Sequence, residues 1–229
     1  PLYLDVKGVL YDMDDAPIVI GGRYGLSSKD TTPNQIFAVY KNLAGKQKDH
    51  FTIGIVDDVN HSSLPVDKSP DVADPATTEL LFFGLGSDGT VGAVKNISKI
   101  IGDYTFLYGQ AYASYDSKKS GGVTRMHLRF GKNPIRSTYL VNDPHFVSCS
   151  QESYVHRFEL IRGIRKNGVF LLSTTHSPET IEEFLPNDVK KTLAKNKARL
   201  FLIDAYKLAK EIGDVRMVST IMQSAFFKL

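Results

Sequence analysis

The sequence predicts an α/β fold: a mostly parallel sheet with a Rossmann-like glycine loop, preceded by a smaller strand–helix–strand unit. Three observations carry that expectation. Short β-branched and aromatic runs alternate with stretches whose apolar residues recur at helical spacing, as in parallel sheets with crossover helices. The stretch "FFGLGSDGTVGAVKNISKII" runs into Gly84, Gly86 and Gly89 and leaves as a helical pattern. Residues 60–79 hold three prolines and few apolar side chains, which marks a boundary between two units.

Each element follows in order. Residues 18–20 ("IVI") read as a strand. Asp30, Thr31 or Thr32 can cap a helix with Pro33 in its first turn. Ile36, Phe37, Val39, Tyr40 and Leu43 predict its buried face, and Gly45 its end. Residues 51–56 are the next strand, so the unit is a parallel crossover. Beyond the boundary, residues 80–83 predict a strand, the glycine turn follows, and residues 91–101 predict a helix with Val94, Ile97, Ile100 and Ile101 inward. "TFLYGQAYASY" is a strand, "DSKKSGG" a loop, and "VTRMHLRFG" a strand that puts Arg125, His127 and Arg129 on one face. "PIRSTYLVN" and "HFVSCS" read as strands, "QESYVHRFELIRGIRKNG" as an amphipathic helix ending at Gly168. "VFLLSTT" and "ARLFLIDA" are strands; "DVKKTLAKN", "AYKLAKEIG" and "IMQSAFFKL" are helical.

Composition bounds the function. The 229 residues are 42% apolar, enough for a sizeable core, and no apolar run approaches a membrane span. A net charge of +3 is too small to argue for nucleic acid. Between residues 104 and 142 the only acid is Asp116, against Lys118, Lys119, Arg125, Arg129, Lys132 and Arg136. That window reads equally as an anion-attracting field or a solvated face. The single cysteine, Cys149, forms no internal disulfide and no cluster by itself; it reads as a buried structural thiol, and a reducing, cytoplasmic setting follows. The chain opens on Pro1 and closes on an apolar helical pattern without a stop signal, so a piece of a longer polypeptide is expected.

The six histidines lack metal spacing. His50, His61 and His145 read as surface residues, His127 as a packed polar residue, Tyr112 and Tyr115 as core, and Asp57–Asp58 as a cap or contact rather than a metal site.

The spacing of Gly84, Gly86 and Gly89 is that of G-x-G-x-x-G between a strand and a helix. Gly84 permits the tight turn, Gly86 lets backbone approach a ligand, and Gly89 lets the helix start close to the sheet. Helix amides then face an anion, with Ser87 and Thr90 as added donors. The plainer reading is a packing turn with no ligand. A dinucleotide requires an acid closing the second strand; here Asp116 is followed by Lys118 and Lys119, which suit a phosphomonoester, offered by NADP and by coenzyme A alike. Asp88 fits beside a pyrophosphate only with its side chain turned outward as a helix cap.

"GGRYGLSSKDTTP", "FTIGIVDDV", "GLGSDGTVGA", "SYDSKKSGG", "HLRFG", "PIRSTYLV" and "IMQSAFFKL" together resemble pyruvate:ferredoxin (flavodoxin) oxidoreductase, in order along nearly the whole chain. The resemblance implies residues 1–63 as the C-terminal part of a transketolase-C-like domain, 64–78 as a linker and 79–229 as a gamma-type, coenzyme A-associated domain. It implies an enzyme that decarboxylates pyruvate to acetyl-CoA and passes electrons to ferredoxin or flavodoxin, a homodimer in the full protein. Thiamine diphosphate, Mg and iron–sulfur clusters belong to other parts of such an enzyme, which leaves this segment inactive alone. The family's coenzyme A loop falls on Ser87, Asp88, Gly89, Thr90 and Val91, its basic contact on Lys118 or Lys119. Ser219 stands where the family usually has asparagine, and "STTHSPE", with Ser173 and His176, departs from the family's "N-T/S-P/T-W". Arg23 in "GGRYG" is implied near the neighbouring active site. The localisation implied is cytoplasmic, or a hydrogenosome-like organelle in a eukaryote. The alternatives left open are an NADP-binding Rossmann domain and a gamma-like scaffold domain of a flavoprotein subunit.

Overall fold

A computed structural model describes residues 2–25, 30–69, 71–115 and 122–229. The chain divides into two compact units: Pro1–Ala73 with Thr138–Leu140, and Asp74–Ser137 with Val141–Leu229.

The first unit runs α1 (Leu2–Leu10), β1 (Gly22–Arg23), α2 (Pro33–Ala44) and β2 (Phe51–Thr52). Helix α2 starts where the sequence places it: Pro33 opens the first turn, and Gln35 Oε1 accepts from Thr32 N at 3.0 Å. β1 and β2 pair in parallel, Gly22 opposite Phe51 and Arg23 opposite Thr52. The crossover is as expected, but its strands are two residues long. Residues 18–20 are not strand, because pairing begins only at Gly22, where a Cβ would lie 2.1 Å from the Phe51 ring. The expected buried face of α2 is also corrected. Ile36, Phe37, Tyr40 and Leu43 are 46%, 48%, 64% and 42% exposed, and Ala38 alone in the helix is buried.

The second unit holds β3 (Thr77–Leu85), α3 (Thr90–Tyr104), β4 (Tyr108–Tyr115), β5 (Val123–Gly131), β6 (Phe146–Cys149), β7 (Val169–Ser173), α4 (Ile181–Phe184), α5 (Asn187–Asn196), β8 (Arg199–Ile203), α6 (Ala205–Ile212) and α7 (Val218–Lys228). Its sheet has the order β4-β5-β3-β6-β7-β8. β3, β6, β7 and β8 are parallel; β5 is antiparallel to both β3 and β4. This is the mostly parallel α/β sheet the alternation predicts.

Alternate side chains of the strands bury into two layers, which is why these runs are apolar nearly throughout. Leu81, Phe83, Val147, Phe170 and Leu172 pack with Leu160, Ile161 and Ile164. Leu80, Phe82, Met126, Leu128 and Leu171 pack with Val94, Ile97 and Ile101 of α3, Ala205 and Ala209 of α6 and Met222 of α7. Cys149 is fully buried on β6, where burial pushes its thiol up to about 12.

Two predicted elements are replaced. Residues 134–142 form no strand; Val141 N instead donates to His127 Nδ1 at 3.1 Å. Residues 151–168 form no α-helix, only a short 3-10 turn at Glu152–His156 followed by irregular backbone. Gly163 is the reason. It adopts φ +78° and packs so close that a Cβ would lie 2.3 Å from Asn142 O, a position no helix supplies.

Candidate functional site

The glycine turn joins the carboxyl end of β3 to the N-terminus of α3, with β6 as the parallel neighbour. In open α/β sheets that edge, where the connections part to either side, is where ligands bind.

Each glycine has a local reason. A Cβ on Gly84 would meet Thr90 Oγ1 at 2.1 Å and Asp88 Oδ2 at 2.8 Å, so its absence lets the helix start fold back onto the strand. Gly86 N donates to Gly122 O at 2.8 Å. Gly89 caps α3 in the left-handed region at φ +89°, and a Cβ there would lie 2.5 Å from Ser219 Oγ. Ser87 also takes a positive φ, +77°. The turn is therefore held tightly enough to aim the first amides of α3, which have no carbonyl one turn back, away from the helix.

Asp88 turns inward rather than outward. Its Oδ1 accepts from Thr90 N at 2.9 Å; its Oδ2 accepts from Leu85 N at 2.9 Å and from Ser150 Oγ at 2.7 Å. It caps the helix from inside the loop, bridging to the end of β6, so the outward turn that suits a pyrophosphate is not made.

The structure thus brings Ser87, Asp88, Gly89, Thr90 and Val91 together with Ser219, which is buried on the first turn of α7 against Gly89. Lys118 and Lys119 lie outside the described residues. The Asp116 expected to close the second strand lies there too. The second strand itself, β4, is not next to β3, since β5 stands between them. In a dinucleotide unit the second strand is the neighbour; here it is two strand spacings away, about 10 Å.

A cavity of about 20 Å³ lies behind the loop, lined by Phe82, Thr90, Val94, Ser148, Ser150 and Ser219 among others. That is room for one water and none for an adenine ring. A nucleotide at this edge has to lie over the loop, not between helix and sheet.

Ser150 was not singled out from sequence, nor were its neighbours. Gln151 Nε2 donates to Tyr206 Oη, and Glu152 Oε2 accepts from Thr174 Oγ1 at 2.6 Å and Thr175 N at 3.1 Å. These follow β6, β7 and β8, so only strand order reveals that they share one edge. Burial, then Asp88 for Tyr206, and Cys149 and Asp88 for Tyr154, push both phenols up. Ser173 is buried at the end of β7, and His176 stacks on Phe184 with ring centroids 4.3 Å apart.

The basic window is thinner than its composition suggests. Arg129 is buried, its Nε donating to Glu79 Oε1 at 2.7 Å and its Nη1 to Gln110 Oε1 at 3.2 Å, so its charge belongs to an ion pair. Arg125 stays exposed. His127 is buried as expected. Burial first, then Arg129 and Arg125, push its imidazole down to about 4. His145 is half-buried rather than fully at the surface, its Nδ1 accepting from Glu79 N at 3.1 Å. Tyr112 and Tyr115 are not core; both are exposed on β4, at the sheet edge. His50 is exposed and contacts Asp49, and Asp57 accepts from Val59 N and Asn60 N inside a turn. Among the described residues no His, Cys, Asp and Glu side chains gather as a metal-ion site, and no helix is long and apolar enough to cross a membrane.

The fold and loop define a class: an α/β domain that presents helix amides at the carboxyl edge of parallel strands. Comparison with known proteins narrows it. Residues 79–229 match the profile of the pyruvate ferredoxin/flavodoxin oxidoreductase family, and the chain belongs to that family. It is 50% identical over 230 residues to pyruvate:ferredoxin oxidoreductase of Moorella thermoacetica, and 49% identical over 231 residues to pyruvate-flavodoxin oxidoreductase of Enterobacter agglomerans. Each alignment covers 100% of this chain and 20% of the relative, so the chain spans about a fifth of these relatives' length. The crystal structure of pyruvate oxidoreductase subunit PORC from Thermotoga maritima shares the fold. It has 19% identity and a TM-score of 0.52, over 66% of this chain and 75% of that one.

Proposed function

We propose that this chain is the coenzyme A-handling segment of a thiamine-dependent 2-oxoacid oxidoreductase that converts pyruvate to acetyl-CoA and delivers electrons to ferredoxin or flavodoxin. The observation that carries the reading is the glycine turn at the carboxyl edge of the sheet, locked against Ser219, in a chain half identical to enzymes named for pyruvate. Residues 1–63 belong on this reading to a transketolase-C-like domain, 64–78 to a linker and 79–229 to the gamma-type domain. Decarboxylation and electron transfer belong to thiamine diphosphate with Mg, and to iron–sulfur clusters, in other domains of a homodimer; cofactors carry that chemistry, while protein groups position the acceptor. The one thiol here is buried and protonated, which does not fit cluster ligation.

This chain's own residues bind and orient. The amides of Gly89, Val91 and Gly92 at the start of α3 take a phosphate over the loop. Lys118 and Lys119 neutralise the phosphomonoester of coenzyme A, and Ser219 supports the loop from behind. Holding the acyl acceptor in register turns a bimolecular transfer into an intramolecular one. An NADP-binding domain is the weaker reading, because β5 separates β3 from β4. The compartment that suits the reading is the cytoplasm, or a hydrogenosome-like organelle in a eukaryote.

Calorimetry on the full-length enzyme tests the lysines. Coenzyme A is expected to bind about tenfold or more tightly than dephospho-coenzyme A, and a Lys118→Ala/Lys119→Ala variant is expected to narrow that gap. Equal affinities for the two ligands sink the lysine assignment.

A further inference from the structure

The glycine loop contains an anion of its own. The Asp88 carboxylate accepts from Leu85 N and Thr90 N at 2.9 Å each and from Ser150 Oγ at 2.7 Å. It lies directly over Gly84, where a Cβ would be 2.8 Å from Oδ2. Ser150 is buried, and its amide is tied to Phe83 O at 3.0 Å, so the hydroxyl that fixes the carboxylate is itself fixed. In a dinucleotide loop the backbone beside the glycines is left bare so that a pyrophosphate can approach it. Here a carboxylate already takes two of those amides.

We propose that Asp88 is a specificity-determining residue: its carboxylate fills the inner anion seat of the glycine loop, closing the loop to a pyrophosphate seated in the dinucleotide manner. A ligand phosphate is admitted only at the outer amides of Gly89, Val91 and Gly92. The inference rests on the loop being a phosphate cradle and deepens that reading, since it says which phosphate position the cradle accepts. It also gives Asp88 a role apart from capping. The carboxylate supplies charge repulsion against the wrong seating, and Ser150 supplies its aim.

The test is calorimetric titration of the full-length enzyme with inorganic pyrophosphate, NADP⁺ and coenzyme A, in wild type, Asp88→Asn, Asp88→Ser and Ser150→Ala. Circular dichroism verifies folding, and serine serves as a second cap-competent side chain should asparagine fail. Removing the charge is expected to raise affinity for pyrophosphate and NADP⁺ by about tenfold, and for coenzyme A by less than about threefold. Ser150→Ala keeps the charge and is expected to gain neither ligand. Folded Asp88 variants that bind pyrophosphate no better than wild type overturn the proposal, and so does a Ser150→Ala gain equal to theirs, which would make Asp88 a structural tie alone. Absence of coenzyme A binding in wild type is a separate outcome: it sinks the coenzyme A reading, while the pyrophosphate comparison still decides the role of Asp88.

Discussion

Asp88 is a residue whose role changes between sequence and structure. From sequence, Asp88 is a loop acid that suits a ligand pyrophosphate only by turning outward as a helix cap. In the structure it satisfies two backbone amides, and asparagine cannot accept from both while facing the Ser150 hydroxyl. Asp88→Asn is therefore expected to leave the Leu85 amide unpaired and to cost about 1–3 kcal/mol of stability, read from urea unfolding. An unchanged midpoint would show that the three bonds are not made together in solution. His127 carries a pH dependence. Its imidazole sits at about 4 in the folded chain against an ordinary 6.5, so the unfolded chain takes up the proton first. Its contribution to stability is complete above pH 6.5 and lost as pH falls toward 4. The slope in that window is up to about 1.4 kcal/mol per pH unit. His127→Phe is expected to flatten the acid limb of the unfolding free energy between pH 6.5 and 4; an identical limb in the variant contradicts a buried neutral imidazole.

At the scale of elements, strands are legible where short apolar runs lie between turn residues, and helices where apolar residues recur at helical spacing. β3, β6, β7 and β8 sit on the runs that name them, because an apolar run between turn residues has few other places to go. Residues 134–142 and 151–168 misled because apolar spacing records burial, not backbone shape. Val141, Leu160, Ile161 and Ile164 are all buried, on irregular chain held by Gly163 and by the His127 ring. The pairing of β3 with β5 hides an ion pair that no local pattern announces, since Glu79 and Arg129 are 50 residues apart. Arg129→Met is expected to cost up to about 3 kcal/mol, because it removes the 2.7 Å partner of Glu79 and leaves it Arg165 Nη2 at 3.5 Å, and the Glu79→Gln/Arg129→Met double variant less than the single one. A single variant as stable as wild type contradicts the buried pair. Helix α2 belongs to the opposite regime, with Ala38 its only buried residue. Hydrogen exchange on the 229-residue chain is expected to be faster across α2 than across β3, β6 and β7, in proportion to what each buries. Equal protection would mean that the apolar face of α2 is covered.

Across the whole molecule, the sheet class and the turn could be read from the chain, and the site only in part. Periodicity placed the glycine turn between strand and helix, yet the partners of Asp88 come from β6, and Ser219 reaches Gly89 from α7, 130 positions further along. Such convergence depends on strand order, which a linear pattern does not encode. The chain spans about a fifth of the length of its relatives, and a coenzyme A cradle is the role proposed for that fifth. The most direct measurement uses Gly89→Val in the full-length enzyme. Valine is strained at φ +89°, and its Cβ would press on Ser219 Oγ from 2.5 Å, so the start of α3 has to shift. Two rates are compared in the folded variant: acetyl transfer to coenzyme A, and pyruvate decarboxylation without coenzyme A. The account predicts that transfer falls by about tenfold or more while decarboxylation persists. Equal losses in both, or an unchanged rate of transfer, would contradict a dedicated coenzyme A cradle and leave the turn as packing between strand and helix.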